Sequence, residues 1–177
     1  MSDKQKFIEL VNARIKRKGI VQLMEWLEKT DYYIAPASCR HHLAIECGLL
    51  RHSLNVYNRL VRLYELEYGA IPDDRHETLA ICGLFHDFCK IFCYTKMWKN
   101  VKVYKDNGSK FDGGGRFDWE TRQGYTFDEK FPFGFHGPKS AFLVSRFMWL
   151  SDEEFITISN HMGVFDRQHN DYSLKNA

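Results

Sequence analysis

No apolar run in this 177-residue chain is long enough to cross a bilayer, and the chain opens without a charged-then-apolar leader ending in a small-residue cleavage site. Both absences lead to the expectation of a soluble, cytoplasmic protein with no membrane partner. There is no CxxC pair either. The 5 cysteines, Cys39, Cys47, Cys82, Cys89 and Cys93, are odd in number and lie mostly among apolar residues. That usage suits reduced core thiols and argues against a disulfide framework. A formal net charge of +2 is too small to compel a nucleic-acid partner. Internal repeats, low-complexity tracts and interdomain linkers are also missing, so the chain reads as one domain over 1–177.

What remains is an ordinary globular composition, 44% hydrophobic and 27% charged, patterned for helices. Ser2 and Gln5 fit a capping box, after which Phe7, Leu10, Val11 and Ile15 recur at helical spacing up to Gly19. A second helix is expected over 21–29 and a third over 47–68. A further helix is expected over 79–94, apolar on nearly every side, with His86 and Asp87 side by side in its middle. Helical pattern returns after Pro138, and Ser151 with Glu154 forms a second capping box ahead of "DEEFITISNHM". Between these helices, the stretch 96–135 mixes β-formers with Asn-Gly and a glycine run, as in a hairpin or flap. It carries Lys96, Lys99, Lys102, Lys105, Lys110 and Arg116 interleaved with Trp98, Tyr104 and Phe111. That mixture suits stacking on a base and gripping its phosphate, and equally suits a solvated hairpin with anchoring aromatics.

A buried Asp87 beside an imidazole costs several kcal/mol unless paired, on the order of the penalties for buried polar and charged groups. The candidate partners are a basic group, a hydrogen-bond network or a metal ion. His52 lies on the apolar stripe of Leu49, Val56 and Leu63, and one such histidine is more often a core residue bonded to a carbonyl. Several together change that balance. His52, His86, His136 and His161 all fall in or beside helices that can converge on one core. Imidazoles and carboxylates without thiolate suit a divalent ion such as Mn, Fe, Co, Ni, Zn or Mg. The rival set Cys82, His86, Cys89 and Cys93 runs along one helical face, which cannot wrap a metal tetrahedrally.

Four stretches in order, "GLLRHSLNV", "GLFHDFCK", "HGPKS" and "ISNHMG", resemble the successive motifs of the HD-domain metal-dependent phosphohydrolase superfamily, over roughly 35–166. Stand-alone bacterial and phage members are the most similar. The resemblance implies an all-α, HD-type helical bundle with a small β-hairpin-like insertion at about 96–135. It implies metal ligation by His52, His86 and Asp87, with His136 and His161 holding a second ion. It gives catalytic roles to Asp87 and Lys90, and the expected activity is hydrolysis of a phosphate ester of a nucleotide or short nucleic acid. Two alternatives stand beside it, a 3′ to 5′ exoribonuclease-like HD domain and a non-catalytic metal- or ligand-binding HD module. Arg40, His42 and Lys139 are candidate substrate contacts. Phe135 and Pro138 depart from the family pattern around His136. The family's closing aspartate, on a helix beyond "HMG", has Asp166 as its nearest substitute here.

Overall fold

The computed structural model describes residues 1–105, 116–130 and 134–163. Asp166 and the expected flap residues Lys110 and Phe111 lie outside the described residues. Ser2 caps α1 (Asp3–Arg14) through the expected box: its hydroxyl accepts from the Gln5 N–H while the Gln5 side chain accepts from the Ser2 N–H. Gly19 takes the left-handed conformation, at φ 99°, and turns the chain into α2 (Ile20–Leu27). Helix α3 (Gly48–Tyr68) and α4 (Asp73–Phe85) follow, then β1 (Tyr94–Tyr104), β2 (Phe117–Phe127), α5 (His136–Ser145) and α6 (Asp152–Ser159). Phe7 and Val11 of α1, Leu23 and Leu27 of α2, Leu49 and Leu50 of α3, Ile81 and Leu84 of α4, Leu143 of α5 and Ile158 of α6 share one core. No helix among the described residues is long and apolar enough to cross a membrane.

Two expectations need correction. The protein is not all-α: it is mostly helical, and β1 and β2, eleven residues each, pair as a two-stranded antiparallel sheet from Tyr94↔Phe127 to Tyr104↔Phe117. The hairpin is therefore regular structure, and its ladder satisfies the backbone that an irregular flap would leave to water. The second correction concerns the helix of the HD pair, which ends at Phe85 with His86 as its C-cap. From there the bonds tighten to i→i−3, with Lys90 N–H donating to the Asp87 carbonyl (3.0 Å) and Ile91 N–H to that of Phe88 (3.1 Å). The segment stays buried almost throughout, so uniform apolarity was consistent with either backbone.

A part-buried ion-pair clamp fixes the far ends of two helices that matter for the site. The Arg17 guanidinium pairs with both oxygens of Glu154 on α6 and with Glu77 on α4 (3.1 Å), while the Thr78 hydroxyl donates to Glu154 (3.0 Å). Glu154 is fully buried and also accepts from the Ser151 N–H in the second capping box. Burial pushes its carboxyl up, but the Arg17 hydrogen bond and the other donors outweigh this and hold it below the ordinary 4.5.

Glu154→Ala leaves the part-buried Arg17 paired with Glu77 but removes the charged hydrogen bonds to Glu154, so it is expected to cost about 1–3 kcal/mol in urea unfolding. A depressed folded-state pKa contributes stability above the unfolded value and loses it as pH falls through the folded one. Wild type is thus expected to lose stability below about pH 4.5 more steeply than Glu154→Gln. Equal acid profiles for the two proteins would rule out this role for the clamp.

Candidate metal centre

Two glycines let the ligand-bearing helices approach. A Cβ at Gly83 of α4 would stand 2.7 Å from the Tyr57 Cα of α3, and one at Gly137 of α5 would stand 2.0 Å from the Ser159 carbonyl oxygen of α6. The first contact brings His52 of α3 beside His86, and the second brings His136 beside His161. Their imidazoles meet around the carboxylate of Asp87, which is almost wholly buried.

Each carboxylate oxygen serves one pair. Asp87 Oδ2 lies 3.1 Å from His52 Nε2 and 3.3 Å from His86 Nε2, whereas Oδ1 lies 2.8 Å from His136 Nε2 and 3.4 Å from His161 Nε2. The result is two trios, His52/His86/Asp87 and Asp87/His136/His161, with the ligand atoms of each within 4.8 Å of one another. The two share the carboxylate, as a bridging ligand between two cations would. Neither includes a thiol, so among the described residues the cysteine-based set gains no support.

The proton inventory indicates what such a cluster is built to hold. His86 Nδ1 donates to the Gly83 carbonyl (3.0 Å) and His161 Nδ1 to that of Ile158 (2.7 Å). A carbonyl only accepts, so in the neutral rings both Nε2 atoms carry lone pairs. The His86 lone pair points at His52 Nε2, 3.2 Å away, and at Asp87; the buried His161 Nε2 has no hydrogen-bond partner. Burial pushes the His86 imidazole below its usual range despite the opposing effect of Asp87, which keeps it neutral at pH 7. Lone pairs facing a carboxylate repel one another unless a cation sits between them, and the residues present therefore fit a divalent metal. Both carbonyls belong to the last turns of α4 and α6, whose negative ends favour positive charge there.

His136 is held differently. Its Nδ1 lies 3.1 Å from Cys89 Sγ, and burial and the nearby Asp87 charge push that thiol well above its usual range. An un-ionised thiol can donate to Nδ1 or accept from it, so His136 can present either a proton or a lone pair to Asp87. For Asp87 itself burial acts upward, yet hydrogen bonds from the surrounding imidazoles, His136 first, outweigh it and hold the carboxyl well below the usual range, an effect that only rings presenting a proton, as His136 and His52 can, are able to supply. The Lys90 ammonium completes the shell, 2.7 Å from Oδ2.

The centre forms one wall of a cavity of about 600 Å³. His41, His42, Lys90 and Tyr94 surround its polar side, and Val56, Leu60 and Met162 supply an apolar wall. His42 packs its ring on His52 with centroids 5.0 Å apart, and burial, then His52 and Lys90, push its imidazole down. Of the other candidate substrate contacts, Arg40 is exposed and is not among the cavity-lining residues. Lys139 is buried in an ion pair with Glu129, also off the cavity wall. Sequence reasoning missed Cys89 as the partner of His136, Tyr94 as a cavity residue, and the two close-approach glycines. Only the glycines left a signal, as helical positions that no propensity argument explains.

Comparisons with protein-family models, with curated proteins and with solved structures find no match for this chain.

Metal titration followed by elemental analysis checks the shared-carboxylate geometry. Asp87→Ala is expected to abolish retention at both positions. His161→Ala and Gly137→Ala are expected to weaken only the position that includes His136, leaving the one at His52 and His86. Unchanged metal content in Asp87→Ala, or loss of both ions in Gly137→Ala with the fold intact, would contradict two positions divided in this way.

Proposed function

We propose that the chain is an HD-type metal-dependent phosphohydrolase that cleaves a phosphate ester of a nucleotide or short nucleic acid. The observation that supports this most is the pair of His/His/Asp trios sharing Asp87 on the wall of a cavity large enough for a nucleotide-sized ligand. Four motifs in the order found in that superfamily agree with it.

His52, His86 and Asp87 would hold one divalent ion, and Asp87, His136 and His161 a second. Bound ions of this kind polarise phosphoryl oxygens and lower the pKa of a coordinated water. Asp87, kept ionised, would offer one oxygen to each position. His86 and His161 are fixed by their carbonyl bonds, so their lone pairs need no reorientation when ligands bind. Lys90 spends one ammonium proton on Asp87 and has others to offer the cavity, where they can neutralise a phosphate oxygen or the developing charge on the leaving group. His42, held neutral, is suited to hydrogen bonding with substrate. The apolar wall of Val56, Leu60 and Met162 suits a base or sugar edge better than a bare phosphate.

Turnover of bis-p-nitrophenyl phosphate by the metal-loaded protein tests the reading. Activity is expected to depend on added divalent ion, to vanish in Asp87→Ala, and to fall about 10²-fold or more in kcat for Lys90→Ala, the scale of a lost charge-stabilising donor. Metal-loaded protein inert toward this diester and toward a panel of nucleotide mono- and diesters would refute it.

A further inference from the structure

The β1–β2 hairpin is strongly two-faced. Cross-strand partners share a face, and along each strand alternate residues do, so six pairs of the register lie on one side and five on the other. Every ring of the hairpin falls on the six-pair side: Tyr94 with Phe127, Tyr125 opposite Lys96, Trp98 opposite Gln123, Trp119 opposite Lys102, and Tyr104 with Phe117. Both carboxylates of the strands, Asp118 and Glu120, fall on the other side. Neither strand places an acid on the aromatic side, which carries Lys96, paired with Glu46 from the segment before α3 (2.9 Å), and Lys102.

These rings do not serve mainly to anchor the hairpin to the helices. Tyr125 at its base is buried, but Trp98 is 68% exposed, Trp119 62% and Phe127 61%. Lys102 Nζ stands 4.1 Å from the ring centroid of the half-buried Phe117 and 5.5 Å from that of the exposed Trp119. Water gains nothing from such an arrangement, and a hydrophobic protein partner would have to desolvate Lys102 without a countercharge. Stacked bases joined by phosphates match both the rings and the cation.

We propose that this face binds single-stranded nucleic acid and leads it into the metal cavity. The proposal rests on the phosphohydrolase reading and narrows its substrate from nucleotides in general to a polynucleotide chain. Continuity supports it: Tyr94 starts the aromatic face and also lines the cavity. Length supports it as well, because Lys102 is eight residues along the strand from Tyr94, roughly 27 Å at about 3.4 Å per residue in an antiparallel pair, beyond the reach of a mononucleotide seated in the cavity. The Thr121 hydroxyl donates to the Asn100 amide oxygen (2.8 Å), which leaves the Asn100 amide N–H groups and the Gln123 amide on the same face as neutral partners for base edges, suited to binding that tolerates many sequences.

Fluorescence anisotropy of the metal-loaded protein with a phosphorothioate-linked 12-mer oligothymidylate, which resists hydrolysis, tests this. Trp98→Ala and Trp119→Ala are each expected to weaken binding roughly 5- to 150-fold, the range for loss of one stacked base, while the corresponding Phe variants restore most of it. Lys102→Gln is expected to lower the slope of log affinity against log salt by about 0.7. Thymidine monophosphate affinity and turnover of bis-p-nitrophenyl phosphate are expected to stay at wild-type levels in every variant. Oligonucleotide binding that survives the double alanine variant overturns the proposal. So does a concentration-dependent dimer lost in that variant with no oligonucleotide bound, which would make a second copy the occupant. Face-dependent oligonucleotide binding by a protein inert toward all esters would refute hydrolysis while upholding the docking face.

Discussion

The Asp87 carboxylate sits in the interior with imidazole nitrogens crowded against both of its oxygens, and much of the structure can be read as the means of keeping it there. A buried anion is tolerated only when positive charge or donors surround it. Lys90 and the protons that His52 and His136 can present supply part of that surround, and His86 and His161 close the ring of nitrogens, all from four elements: α3, the end of α4 with its following turn, α5, and the end of α6. Gly83 and Gly137 permit the helix contacts that bring the histidines within reach, and the Arg17 clamp holds the opposite ends of α4 and α6. The remaining mismatch, lone pairs aimed at a carboxylate, is the feature that calls for a cation.

Most helices were legible from capping boxes and apolar spacing because these signals are local. Ser2 with Gln5 and Ser151 with Glu154 marked their helix starts correctly. The end of α4 was not legible: from Leu79 to Cys93 nearly every residue is buried, and a pattern with no polar phase carries no information about where a helix gives way to tighter turns. The hairpin was expected as an insertion, but its eleven-residue ladder makes the fold mixed, a property of long-range pairing that composition only hints at.

The candidate site was legible to a different depth. His52, His86, Asp87, His136 and His161 were named from sequence, and the structure brings all five together. The division of the two carboxylate oxygens between two pairs, and the carbonyl bonds that fix His86 and His161, depend on backbone positions that no residue type encodes. Lys139 illustrates the converse. A cation one turn from His136 looks available for substrate, yet burial commits it to Glu129. Asp166 lies outside the described residues.

Anomalous diffraction at the metal edge, from crystals loaded with Mn or Co, tests the central claim most directly. Two peaks are predicted, one bonded to His52, His86 and Asp87 Oδ2 and the other to Asp87 Oδ1, His136 and His161. Crystals with no anomalous density at Asp87, or with the ion held by cysteines elsewhere, would contradict the account.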